Sequence, residues 1–289
     1  MFERILVPLD GSPVAERAIP AAARIARAFG GSVIVLSVVT PPVTPGKFSV
    51  PEEYPKADTE EELAEATAYL RAIAQSDKLV GITTEVQTLV GATAPTILSA
   101  TQSLHADLIV LCTHGYTGFK RWRLGSVSEK VIRHAPVPVF VLREGELEPA
   151  ARLSAGLAQA TSQRGILQLM RVVDIPSGYG KFRSRVDSFY DAQMRAEAKR
   201  AYEQYLETVA KRFSEGELAK YNLAVTTVVT TDPDVAEAIV QTAEQGKDDF
   251  IAMATHGRGG VQRWALGSIT ERVLHATKVP LFIIRPEEV

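Results

Sequence analysis

Two glycine-punctuated segments carry most of the chemistry this sequence offers: "THGYTGFKRWRLGS" at residues 113–126 and "THGRGGVQRWALGS" at residues 255–268. Each follows an apolar run and closes on Gly-Ser at the start of an amphipathic stretch. A helix start carries backbone N–H groups without intrahelical partners and the positive end of the helix dipole, and both attract phosphate oxygens. Glycines in the preceding turn let a ligand approach the backbone closely. Asp10, which ends the apolar run "RILVPLD", would face the same crevice, where its carboxylate can accept hydrogen bonds from ribose hydroxyls. By sequence alone Asp10 is equally the first residue of an Asp-Gly turn.

Other side chains in the loops have plainer readings. Ser126 with Glu129, and Ser268 with Glu271, spell Ser-x-x-Glu, the pattern of a capping box, which can coexist with a ligand role. Gly118 and its counterpart Gly259 read as turn glycines. His114 and His256 occupy matching positions, but neither has a partner acid or nucleophile at a recognisable spacing, so turn packing is the expectation. Trp122 and Trp264 read as packing anchors. Lys120, Arg121, Arg123, Arg258 and Arg263 would screen a polyanion or lie solvated at the surface. Cys112 is expected buried and inert at a strand end, with a reactive thiol as the alternative. The sequence has no P-loop lysine motif, no dinucleotide glycine fingerprint after its first apolar run and no metal-ligand cluster, so the metal content of any site is left open.

The elements that must position these residues alternate. "RILVPLD" and "SVIVLSVV" read as strands covered on both faces, "TTEVQTLV", "DLIVLCT" and "VPVFVLR" as three more, and amphipathic helices fall between them. Ser12 and Pro13 suit the first turn of the helix that Gly30-Gly31 ends. Strands separated by helices argue for a parallel α/β sheet, because each parallel step needs a crossover. The order then repeats: when residues 106–143 are set against 248–285, about 17 of 38 columns are identical, which is internal duplication. "GILQLMRVVDIP", the helix from about Asp191 to Phe213 and "LAVTTVVT" continue the pattern in the second half. No counterpart of "RILVPLDGS" precedes them, so the second half is expected to lack its first strand. The length of 289 residues agrees with two domains, expected at 1–145 and 146–289.

Hydrophobic residues make up 46% of the chain and charged residues 23%, an ordinary globular balance. The formal charge of −2 supplies no global field for nucleic acid or an anionic membrane, and neither is expected as a partner. A single cysteine excludes an internal disulfide framework and suits a reducing compartment. The apolar run after Met1 is too short for a signal-peptide core or a membrane span, so the cytoplasm is the expected location.

"ILVPLDGS" together with "THGYTGFKRWRLGSVSEKVIRHAPVPVFVLR" resembles a universal stress protein domain, and the second half resembles another copy. The resemblance implies two tandem open parallel sheets flanked by helices, each in strand order 3-2-1-4-5. In one branch of that family it also implies ATP held by Gly, two residues, Gly, nine residues, then Gly with Ser or Thr. Gly115 with Gly125-Ser126, and Gly257 with Gly267-Ser268, fit that spacing, while the leading glycine is replaced by Cys112 and by Ala254. By the same resemblance Pro8 and Asp10 lie against adenosine, and Val38 offers backbone groups to adenine. Gly115, Gly125, Ser126 and Val127 would line the phosphate path, and Cys112 and Gly118 count with them among the expected nucleotide-binding residues. Val172, Gly257, Gly267, Ser268 and Ile269 are the second-half equivalents, with none for Asp10, so weaker binding or none is expected there. Whether ATP, ADP or AMP is bound, and whether Mg²⁺ accompanies it, stays open. The alternatives are a slow ATP hydrolase or phosphotransferase, for which no convincing metal carboxylates, base and lysine are found, and a nucleotide-independent interaction protein. Family proteins dimerise through the last strand, so the two halves are expected to pair there, with a further homodimer open.

Overall fold

The computed structural model describes residues 2–41, 56–113, 125–143, 165–173, 185–215, 223–255 and 266–284. Among them the chain is α/β and divides into two compact units, residues 1–158 with 248–289, and residues 159–247. The unit boundaries therefore cut across the sequence repeat.

The larger unit is built on a seven-stranded sheet in the order β3-β2-β1-β4-β5-β9-β8. Its strands are β1 (Arg4–Pro8), β2 (Ser32–Val39), β3 (Thr84–Val90), β4 (Leu108–Thr113), β5 (Val139–Arg143), β8 (Ile251–Ala254) and β9 (Leu281–Ile284). The first five realise the 3-2-1-4-5 order and run parallel. Helices α1 (Ala18–Phe29), α2 (Lys56–Ala74), α3 (Thr93–Ser103) and α4 (Ser126–His134) are their crossovers, and α7 (Ser268–Ala276) connects β8 to β9. Continuous apolar runs become the central strands because both faces are covered: Ile5, Leu6, Ile34, Leu36, Leu108 and Ile109 are fully buried. Each such side chain contributes about 1.5–3 kcal/mol relative to exposure. β3, at the sheet edge and only half-buried, carries the polar residues Thr84, Glu85, Gln87 and Thr88. Ser12 Oγ accepts the Ala15 amide at 3.1 Å at a 3-10 turn, Ala15–Arg17, that leads into α1, whose own N-cap is Arg17 rather than the expected Ser12, and α1 stops before Gly30-Gly31.

β5 and β9, the last strand of each repeat, pair antiparallel. In the sequence repeat Phe140 matches Phe282, and in the sheet Phe140 lies opposite Phe282. Val139 likewise lies opposite Ile283, the counterpart of Val141, so a local two-fold passes through the Phe140–Phe282 pair. The rings of Phe140 and Phe282 sit 6.3 Å apart, with Phe250 packed edge-on to Phe140 and Phe2 edge-on to Phe282. Arg133 of α4 joins the helices flanking the axis, contacting Glu129 at 3.0 Å and Glu271 at 3.5 Å.

The smaller unit holds β6 (Gly165–Val173) and β7 (Leu223–Thr231), paired in parallel from Gly165↔Leu223 to Val173↔Thr231. Helices α5 (Arg185–Glu215) and α6 (Val235–Gly246) accompany them. Asp234 caps α6, accepting the Glu237 amide at 3.1 Å, and the Arg171 guanidinium lies 4.7 Å from the centre of the Tyr202 ring. Among the described residues no strand pairs with β6 on the edge away from β7, nor with β8 on the edge away from β9. Residues 144–164, where a first strand of the second repeat would be sought, lie outside the described set.

Candidate functional site

The order of connection reverses between β1 and β4, and in an open parallel sheet a ligand crevice lies beyond the carboxyl ends of the strands at that point. A cleft of about 200 Å³ occupies this place. The turn after β1 supplies Asp10, Ser12, Val14 and Ala15 to its wall, β4 supplies Cys112, and the start of α4 supplies Gly125 through Ser128. Ser12, Val14, Ala15 and Ser128 go beyond the ligand residues expected from the sequence. The strand–turn–helix pattern was the available signal for them, since they flank the two expected contact points.

Asp10 is exposed at the end of this turn, and its Oδ1 accepts the Ser12 amide at 3.0 Å. Gly11 between them has φ +79°, a conformation glycine adopts without strain. The turn reading and the ligand reading of Asp10 thus coexist: one oxygen fixes the turn, and the carboxylate still faces the cleft. Behind it, the Tyr69 hydroxyl donates to Glu16 Oε1 at 3.2 Å. Burial, then the charge of Glu16 and the hydrogen bond to it, then the charge of Asp10, push the Tyr69 phenol well above its ordinary value and keep it neutral.

Opposite, Gly125 is the N-cap of α4, and its carbonyl accepts the Glu129 amide at 2.9 Å. The amides of Ser126, Val127 and Ser128 precede that first intrahelical bond. Among the described residues no side chain caps them, which corrects the capping-box expectation: Ser126 is the first helical residue rather than the cap, and Glu129 turns to Arg133. The same correction holds for Ser268, because Gly267 caps α7 without a side-chain bond and Glu271 meets Arg133. Gly125, Ser126 and Val127 are all exposed. Among the described residues, a Cβ added at Gly125 would meet only Ser128 Oγ, at 4.0 Å.

Cys112 is half-buried and lines the cleft, where the sequence suggested a buried position. Arg143, beside it at the end of β5, is 9% exposed, and burial lowers its guanidinium pKa to about 10 while the Cys112 thiol opposes that shift. Pro8 ends β1 opposite Leu36. The Leu36 carbonyl accepts the Leu9 amide at 2.8 Å, whereas the Val39 carbonyl turns to Gly91. Backbone groups alternate along a strand, so the N–H and C=O of Val38 point to the side of β2 that β1 vacates after Pro8. That is the side of the crevice.

The second mouth differs. Gly267 donates its amide to the Thr255 carbonyl at 2.7 Å, and an added Cβ would lie 2.6 Å from that oxygen. Thr270 Oγ1 bonds the Ala254 carbonyl at 3.0 Å, and Leu266 and Thr270 are buried. Ser268 and Ile269 remain exposed at this start of α7, while Val172 lies in β6 of the smaller unit. Gly115, Gly118, Gly257, Gly259, His114, His256, both tryptophans and the loop arginines and Lys120 lie outside the described residues. Among the described residues no cluster of three or more acids, histidines or cysteines is placed to hold a metal, and no helix is long and apolar enough to cross a membrane.

Comparison with known proteins agrees with this architecture. A universal stress protein of Methanocaldococcus jannaschii is 33% identical over 155 residues, covering 51% of this chain and 86% of that protein. One from Bacillus subtilis is 30% identical over 148 residues, covering 50% of this chain and all of its own length. The crystal structure of a universal stress protein from Archaeoglobus fulgidus superposes with a TM-score of 0.62 at 20% identity, covering 98% of both chains, a likeness of fold. The profile of the universal stress protein family matches residues 1–143 and again 148–285, so this chain, two copies in tandem, belongs to that family.

Proposed function

We propose that the chain binds an adenine nucleotide in the cleft between β1 and α4 of its first repeat, and that occupancy is its signal in a stress response. The observation that carries this reading is the placement of Asp10 and the uncapped start of α4 on opposite walls of one cleft at the reversal of strand order. The phosphates would take the amides of Ser126, Val127 and Ser128, the ribose would reach Asp10 past Pro8, and the adenine edge would meet the backbone of Val38. ATP uses all three contacts, and ADP and AMP progressively fewer of the first. Mg²⁺, if it accompanies the nucleotide, would be held by the phosphates rather than by a carboxylate cluster. Binding is itself sufficient for function, since a ligand that prefers one of two conformations shifts their populations.

In this reading residues 1–145 and 146–289 are the two family domains, the first holding ligand in the cytoplasm and the second contributing its last strand to the shared sheet. The test is calorimetric titration of the full chain with ATP, ADP and AMP. Saturable binding of at least one, lost in Gly125→Glu, supports the reading, and no heat with any adenine nucleotide overturns it.

A further inference from the structure

One guanidinium serves the first turns of two helices. Arg133, in the last turn of α4, meets Glu129 Oε1 one turn earlier at 3.0 Å and Glu271 Oε1, in the first turn of α7, at 3.5 Å. Glu129 and Glu271 are matching residues of the two repeats, whereas the match of Arg133 is His275, so α7 has no guanidinium at that position. The side chains of Arg133, Glu129 and Glu271 are 26%, 41% and 40% exposed, so solvent screens their charges less than those of fully exposed groups. The Glu129 amide makes the first bond of α4, to the Gly125 carbonyl, and so directly follows the amides of Ser126, Val127 and Ser128. A carboxylate in a first helical turn suits the helix dipole. At α4 it also lies within a turn of the place where, on the nucleotide reading, more negative charge must gather, and like charges repel. Arg133 relieves that conflict by neutralising Glu129 in place, while Glu271 draws on the same cation from the other repeat.

We propose that Arg133 is a positioning residue for the phosphates: it neutralises Glu129 so that the start of α4 accepts a polyphosphate, and Glu271 of the second repeat sets how much of that neutralisation reaches the first. This inference rests on the nucleotide reading and deepens it, because it makes the affinity added by each further phosphate depend on the bridge. It also gives the second repeat a part in binding that needs no ligand of its own. Coulomb energy scales with the charge of the ligand, so disturbing the bridge changes the affinity for ATP more than that for AMP, and added salt shrinks the difference.

The test is calorimetric titration of the full chain with ATP, ADP and AMP at low ionic strength. Arg133→Gln is expected to weaken ATP binding about fivefold and AMP binding by less than about twofold. Arg133→Lys, which keeps the charge, stays within about twofold of the unaltered protein for both. Glu129→Gln in the Arg133→Gln background restores ATP binding, which the repair of a packing defect would not do. Glu271→Gln alone tightens ATP binding about twofold or more, and it has no effect when combined with Arg133→Gln, because it acts through that side chain. Failure of the unaltered protein to bind any of the three nucleotides overturns the nucleotide reading and this inference with it. Where the unaltered protein binds, the bridge alone is overturned by undiminished ATP affinity in Arg133→Gln, by equal losses for ATP and AMP, or by failure of Glu129→Gln to restore ATP binding. Unchanged ATP affinity in Glu271→Gln overturns the part given to the second repeat.

Discussion

The starts of α4 and α7 are the same sequence device, Gly-Ser opening a helix after a glycine loop, in two different states. At α4 a Cβ on Gly125 would meet no described atom nearer than 4.0 Å, and Asp10 stands across a cleft. At α7 the Thr255 carbonyl holds the Gly267 amide, Thr270 ties back to Ala254, and no counterpart of Asp10 exists in the sequence. The difference teaches that a helix dipole is not by itself a binding site. Among the described residues neither helix has a side-chain cap, but a cleft with Asp10 on its wall lies before α4, whereas at α7 the Thr255 carbonyl takes the Gly267 amide.

The largest expected effect sharpens that contrast through charge. Gly125→Glu places a carboxylate where phosphate is proposed to sit, its Cβ meeting no described atom nearer than 4.0 Å, and it should weaken adenine nucleotide binding about a hundredfold or more in calorimetric titration. Ser268→Glu, at the exposed second mouth, should leave the affinity within about twofold. Comparable losses from both would break the asymmetry.

The reciprocal effect is on stability. Gly267→Ala drives a Cβ to within 2.6 Å of a backbone oxygen and should destabilise the protein by about 1–3 kcal/mol, read from the urea midpoint. Gly125→Ala meets no described atom nearer than 4.0 Å and should change stability by no more than about 0.5 kcal/mol. Next, Asp10→Ala should weaken nucleotide binding about tenfold, the scale of one charge-assisted hydrogen bond. Asp10→Asn, which keeps an oxygen for the Ser12 amide, separates loss of the turn from loss of the charge.

The smallest effect concerns a position where the repeats diverge. Asp248 stands where the first repeat buries Ala106. Burial, and then the neighbouring charge of Asp249, raise the Asp248 carboxyl above its ordinary value, so the native state holds that proton more tightly than the unfolded chain does. The resulting stability is complete in acid and disappears as the pH rises through the native titration. Asp248→Asn should therefore raise the urea midpoint at neutral pH, with the gain gone below about pH 3. The gain should stay under about 0.5 kcal/mol, because solvent screens a half-exposed carboxylate.

The fold was legible wherever a signal is local. Strand periodicity, the Gly30-Gly31 stop and the repeat all depend on residues near one another in the chain. The resemblance carried by "ILVPLDGS" and the two Gly-Ser loops set the strand order and the family. Ser126 misled because Ser-x-x-Glu fits a capping box whether the helix begins at that serine or one residue before it. The structure begins the helix at Ser126, and the hydroxyl is released.

What the sequence determined by itself was therefore the alphabet of elements, their order, their duplication and the family they compose, since backbone preference and hydrophobic period act over a few residues. The pairing of the last strands was expected from the resemblance, but tertiary structure alone decided the register that sets Phe140 opposite its own counterpart Phe282, that the Thr255 carbonyl takes the Gly267 amide while a Cβ on Gly125 would meet no described atom nearer than 4.0 Å, and that the two compact units ignore the repeat boundary. Each of these depends on ångström-scale distances between groups far apart in the chain, and two loops of the same composition carry no local mark of which will have room in front of it.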